Sequence, residues 1–271
     1  MKYHLFIFLF LFLGQVTQAQ TLLAAPQLTA SQKAEQDRII ATYATNKAHH
    51  YNYNLEMNKW QAALDEGLAQ DSTIAYLWQQ KAMPYFKSRK YEVGMAYLDK
   101  AVQYDSKRYL PYRAFIKCIF SKTYREAIRD FETCLAQGGD SYEMDHTYTF
   151  YLGLSHLQLN EFDKAEAYLL QAVARQREIF PEVHHLDLFY LGIVCYEQER
   201  YHEAIVYFDQ AIAGYKEFSE AYYYKALCQL KEQDEASAKQ AFALYRDYSQ
   251  KGFFMDEANA IYELYPYQLS K

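Results

Sequence analysis

Eight histidines and four cysteines are the residues of this chain with the most chemistry to offer. Imidazole and thiolate ligate transition metals, and each serves as a catalytic base or nucleophile when a third group holds it in place. The histidines include two adjacent pairs, His49-His50 and His184-His185, and an isolated His156. A metal needs three or four ligands converging at fixed distance, and no HExxH or CxxC spacing accompanies these residues. They read as surface or interhelical side chains, and the sequence predicts no metal site. The cysteines Cys118, Cys134, Cys195 and Cys228 are separated by 16, 61 and 33 residues, which fits no zinc or redox pattern. No GxSxG elbow is present to aim a serine nucleophile. The expectation is a chain that is not an enzyme, with no catalytic residues and no cofactor.

Composition then says what kind of scaffold carries these side chains. Of 271 residues, 51% are apolar and 18% aromatic, including 29 Tyr, which is far too hydrophobic for a disordered segment. Only 9 Gly and 5 Pro punctuate that length, too few for the turns of a many-stranded sandwich or barrel, so the prediction is all-α. A net charge of -6 argues against a surface that tracks phosphates, and hence against nucleic acid as partner.

The first 20 residues combine a basic start at Lys2, an apolar run from Leu5 to Leu13 and a polar stretch ending at Ala19. That is the pattern of a secretory signal peptide over 1–19, cut after Ala19. The run is well short of the roughly 20 residues a membrane-spanning helix needs. The sequence therefore predicts a product that starts at Gln20, has no membrane span, and resides in the periplasm or outside the cell.

Internal repetition fixes the architecture. Segments beginning at Tyr91, Tyr124, Phe162, Tyr201 and Glu235 each place a small residue three positions on: Gly94, Ala127, Ala165, Ala204 and Ala238. Four residues later comes a large apolar one, Leu98, Phe131, Leu169, Phe208 or Phe242, and three later Ala101, Cys134, Ala172, Ala211 or Tyr245. Offsets of 3, 4 and 3 mark one helix face. The small residues are 33, 38, 39 and 34 apart. The two long intervals carry their extra residues near Gly138-Gly139 and Phe180-Pro181, which predicts longer loops there. Upstream of the segments lie partner helices such as 148–159, 187–198 and 221–232.

A spacing near 34, with Leu152-Gly153 and Leu191-Gly192 in first helices and small residues in second helices, resembles the tetratricopeptide repeat. The resemblance implies an all-α, right-handed superhelical solenoid of antiparallel helix pairs. Repeats are expected at 75–108, 109–142, 146–179, 185–218 and 219–252, after a mature N-terminal segment at 20–31 and a degenerate pair at 32–74, where Trp60 stands at a small position. Residues 253–271, with Met255, Ala258, Ile261 and Leu264 at helical spacing, are expected to form a C-terminal capping helix, and Pro84 to kink the first helix it lies in. Cys134 sits at a helix crossing and the other cysteines in first helices, which predicts buried free thiols, with disulfides as the alternative.

The family binds partners on its concave face. Carried to this chain, the implied groove residues are Phe150, Leu154, Phe189, Ile193, Tyr196, Tyr223 and Leu227. Only Arg113 and Lys117 approach the cationic clamp by which some members grip a peptide carboxylate. An aromatic groove of this kind implies a scaffold or adaptor that holds a protein or peptide partner. The alternative is a solenoid that binds a glycan or other small or polymeric ligand on stacked aromatic rings. The alternative to an exposed groove is that these rings pack between adjacent repeats.

Overall fold

The computed structural model describes residues 28–269, so the expected signal peptide lies outside the described residues, as does most of segment 20–31. Helix α1 (Ala30–Ile39) runs on through a π-helical turn, Ile40–Thr45, and is followed by α2 (Met57–Gln70). Five helix pairs come next: α3 (Ala75–Lys87) with α4 (Tyr91–Tyr104), α5 (Ser106–Ile119) with α6 (Tyr124–Gly138), α7 (Tyr148–Gln158) with α8 (Phe162–Ile179), α9 (His185–Glu197) with α10 (Tyr201–Gly214), and α11 (Ser219–Lys231) with α12 (Glu235–Gln250). Helix α3 continues three residues past Pro84, which lies in its last turn. None of the helices among the described residues is long and apolar enough to cross a membrane.

The pairs close where side chains are absent or small. Gly94, Ala127, Ala165, Ala204 and Ala238 are all buried. Leu169, Phe208 and Phe242 reach across to the first helix of their own pair, at Gly153, Gly192 and Tyr223, while Phe131 stacks on Tyr151 of the next pair. A methyl group built on Gly153 would stand 2.6 Å from Leu169 Cγ and 3.2 Å from the Ala165 carbonyl oxygen, and one on Gly192 would stand 2.6 Å from the Phe208 ring. Backbones this close leave no room for a Cβ, and dispersion over the contact holds the pair.

A second regularity lies in the turns. In all five pairs one non-glycine residue between the helices is left-handed: Arg89, Lys122, Asn160, Glu199 and Gln233, with φ between 56° and 63°. In four of them the next amide donates to a carbonyl five residues back, as in Lys90 to Tyr85 at 2.9 Å and Arg200 to Cys195 at 2.8 Å. This is a Schellman closure, which satisfies carbonyls left open at the helix end. Its hydrogen bonds offset the ~1–2 kcal/mol that a left-handed L-residue costs.

Both long intervals do contain added structure. After Gly139 (φ 76°) the chain makes a short antiparallel hairpin, β1 (Tyr142–Glu143) and β2 (His146–Thr147), with Tyr142 opposite Thr147 and Glu143 opposite His146. The other insertion, 180–184, lies beside it, with the Phe180 and Tyr142 rings 6.4 Å apart in an edge contact.

The expected capping helix over 253–271 does not form. Beyond Gly252 (φ 84°) the described chain is irregular apart from one 3-10 turn, Ala258–Ile261. Tyr265 and Met255 in this stretch are nevertheless buried. Apolar residues at helical spacing were a misleading signal here, because their burial is set by what lies under them rather than by a helix face.

The four cysteines are buried and unbridged. Burial pushes the thiols of Cys118, Cys134 and Cys228 up to about 12 and that of Cys195 up to about 11. Native protein is therefore expected to react negligibly with a thiol reagent at neutral pH and to titrate four thiols in denaturant. Gly153→Ala tests the close crossing. In an open helix the change would stabilise by ~1 kcal/mol through propensity, but here overpacking against Leu169 reverses the sign, and denaturant melts should show a loss of ~1–3 kcal/mol.

Candidate functional site

The irregular C-terminal stretch runs along the inner face of the array, and its contacts define a groove. Tyr215 OH lies 3.5 Å from the Phe254 carbonyl oxygen. On α9, Tyr190 OH donates to the Pro266 carbonyl at 2.9 Å and lies 3.7 Å from Met255 Sδ. One turn-pair further along the same face, Glu197 accepts from Tyr267 OH at 2.8 Å. On α11, the Tyr224 ring meets the Tyr267 ring at 5.8 Å, and the backbone amides of Met255 and Leu269 face the buried Glu220 carboxylate. Between these two sets of contacts the segment reaches out to the other end of the array and turns back. There Tyr91 OH donates to Glu263, Arg89 Nε lies 3.3 Å from the same carboxylate and Lys122 Nζ 3.7 Å from it. Arg89 also donates to the Tyr262 carbonyl at 3.2 Å, and Lys87 stands over the Tyr262 ring at 4.8 Å. An acidic, tyrosine-rich loop thus doubles back along the array, with hydroxyls against its two arms and cations at its turn.

Midway, His146 on β2 anchors the strand. Its Nε2 lies 2.8 Å from Glu257 Oε1, and its Nδ1 3.8 Å from Asp187 Oδ2, with His146 and Asp187 fully buried. Burial alone would favour the neutral ring, but the Asp187 and Glu257 carboxylates outweigh it and push His146 up to about 9. The ring stacks on Phe150 at 3.9 Å and touches His184 edge-on at 5.0 Å. Burial and the neighbouring His184 and His146 rings hold His185 down at about 3, so it stays neutral.

The residues expected from the repeat pattern lie mostly elsewhere. Phe150, Leu154, Phe189 and Ile193 are completely buried, so as the chain stands they line no open groove. Phe189 packs between repeats, against Phe208 at 5.8 Å, Phe218 at 4.9 Å and Tyr224 at 5.9 Å. Tyr223 faces its own pair, with the Phe242 ring at 5.9 Å and the Tyr245 ring at 5.1 Å. Tyr196 and Leu227 remain partly exposed, and Tyr196 lies 5.7 Å from Tyr224. The groove register on α9 and α11 is one residue further on, at Tyr190, Glu197 and Tyr224. One residue turns a helix by 100°, enough to move a ring from the inner face to the inter-repeat core. Arg113 and Lys117 form no carboxylate clamp either. Arg113 makes a two-pronged pair with Asp130 at 2.8 Å and another with Asp99 at 2.8 Å, and Lys117 joins Asp130 at 2.8 Å.

The expectation that histidines would not converge is corrected as well: His146, His184 and Asp187 do. Sequence spacing gave no sign of it, because His146 and His184 come from the two separate insertions.

Comparison with known proteins agrees with this architecture. Two tetratricopeptide-repeat family profiles match residues 147–217 and 189–251. Residues 147–251 are thus similar to tetratricopeptide repeats. Among solved structures, a tetratricopeptide repeat protein from Parabacteroides merdae shares 13% identity at a TM-score of 0.62, over 83% of this chain and 82% of that one. PilW, a type IV pilus biogenesis factor, shares 13% identity at 0.61, over 81% and 94%. YrrB, described as having an unusual peptide-binding site, shares 18% identity at 0.51, over 69% and 93%. These likenesses show the fold, an all-α tetratricopeptide-repeat solenoid. No curated protein matches the chain.

The Tyr190 hydroxyl is the most telling contact between groove and strand. Tyr190→Phe leaves the Pro266 carbonyl without its donor in a buried setting, which should cost ~1–3 kcal/mol. Limited proteolysis should then cut the last 20 or so residues sooner than in the parent, with the helical far-UV signal kept.

Proposed function

We propose that the chain is a non-enzymatic scaffold that holds an extended protein segment in its inner groove, and that its own C-terminal strand occupies that groove as an intramolecular ligand. The observation that supports this most is the reach of the segment's contacts, from Phe254 beside Tyr215 out to Tyr262 beside Arg89 and back to Tyr267 beside Tyr224. A cap that only shielded the last helix pair would have no need to travel so far. The partner's chemistry follows from what the groove already holds. Carboxylates are met by Arg89, Lys122 and His146, and carbonyls and tyrosyl groups by Tyr190, Tyr224 and Glu197. An acidic segment containing tyrosine and proline would satisfy the same groups, and would displace the strand at the cost of its local concentration.

The aromatic rings expected to stack on a glycan are largely spent on one another, as in the Phe189 cluster, which favours a peptide over a sugar. The apolar run at 5–13 and the small residue at Ala19 support export, with cleavage after Ala19 and residence in the periplasm or beyond.

Removing residues 254–271 gives the test. The shortened chain should bind a synthetic peptide of residues 252–271 saturably and one-to-one, while the intact chain should not bind it. A Glu263→Lys peptide sets like charges against Arg89 and Lys122 and should bind at least ~10-fold more weakly. Equal binding of the two peptides, or none by a shortened chain that keeps its helical signal, would return the strand to a purely structural role.

A further inference from the structure

We propose that His146, His184 and Asp187 form a binding site for one divalent transition-metal ion, open to the surface on one side. The inference stands on side-chain geometry and is independent of what the groove binds.

One ligand atom from each of the three residues falls within a sphere where all lie within 4.8 Å of one another. Bond lengths of about 2.0–2.1 Å to nitrogen and oxygen put tetrahedral ligands roughly 3.3 Å apart. The His146 Nδ1 to Asp187 Oδ2 distance of 3.8 Å is already near that, and small side-chain rotations would close the set. Two imidazoles and one carboxylate suit zinc and its neighbours, and three protein ligands leave a further position for water.

Unmet bonding capacity makes this more than proximity. Asp187 is fully buried, yet neither of its carboxylate oxygens has a hydrogen-bond partner, and His146 Nδ1 has none. A buried carboxylate with no hydrogen bond and only an imidazole 3.8 Å away is costly, and a dication that takes the place of the proton on His146 Nδ1 would satisfy all three atoms. One ring nitrogen of His184 accepts only a long contact, 3.3 Å, from the Leu186 amide. On the far side of His146, Nε2 lies 2.8 Å from Glu257. That is the carboxylate-to-imidazole bond which, in metal sites, fixes the ring and leaves the other nitrogen free to ligate. Glu257 is thus a positioning residue supplied by the C-terminal strand.

The site also has a way in. A surface cavity of ≈ 400 Å³ is lined by Asp145, Gln176, His184 and His185. Most of its lining comes from the hairpin and from the 180–184 loop, the two places where the array departs from its regular period, and Gln176, His185 and Gly214 of the neighbouring helices complete it. A solenoid needs neither insertion to stack its helices.

The experiment titrates the untagged full chain, stripped with a chelator, with Co²⁺ and then Zn²⁺. One equivalent of Co²⁺ should produce the visible bands of a low-symmetry four- or five-coordinate ion, and Zn²⁺ should abolish them. Glu257→Gln should weaken binding by roughly 10–100-fold, and Asp187→Asn or His184→Ala by at least as much. His49→Ala, far from the cluster against Trp60, should change nothing. No stoichiometric binding, equal binding by Asp187→Asn and parent, or Ca²⁺ bound as tightly as Zn²⁺ would overturn the proposal. Should the ligand variants fail to fold, X-ray absorption of the zinc-loaded parent decides, since fewer than two imidazole ligands would also overturn it.

Discussion

The whole array depends on the close approach of two helix backbones at residues with almost no side chain. Gly153 lies against Leu169 and Gly192 against Phe208, with less than one methyl group to spare. That contact sets how each pair crosses, and the crossing sets which helix faces are turned inward. Both the groove and the histidine cluster inherit their positions from it. The left-handed turns, repeated from Arg89 to Gln233, serve the same constraint, because they return the chain at once toward the helix it has just left.

This constraint was legible in the sequence, and the reason is instructive. Ala127, Ala165 and Ala204 recur because the same steric problem is solved in each pair, so periodicity reports it directly. The groove register was harder to read. Phe189 and Tyr190 are adjacent aromatics of similar size, and which one faces inward is decided by a rotation of 100° that composition does not encode. The C-terminal segment carries a helical spacing that it does not use, since its burial is dictated by partners far away in sequence. Met255 and Tyr265 looked like a helix face and are instead separate anchors on a surface built by other residues. His146 and His184 escaped notice for a related reason: insertions break the repeat, and pattern recognition fades where the pattern does.

Burying charge in a repeat protein needs compensation from more than one repeat. His146, Asp187, Glu257 and Glu220 are held beneath the surface by residues from α7, α9, α11 and the strand. A solenoid stabilised only by nearest neighbours unfolds piecemeal. Here the strand joins first and last pairs, so loss of one end is felt at the other, and the array gains a cooperativity that stacking alone does not provide.

The contact between Arg89 and Tyr262 spans 173 residues of sequence. In any folding that starts from the N-terminal repeats, the end of the groove around Arg89 is in place before its occupant, which lies at the other end of the sequence. Until residues 253–269 fold back, Arg89, Lys122 and Tyr91 stand without the Glu263 carboxylate, and an acidic chain nearby would compete for them.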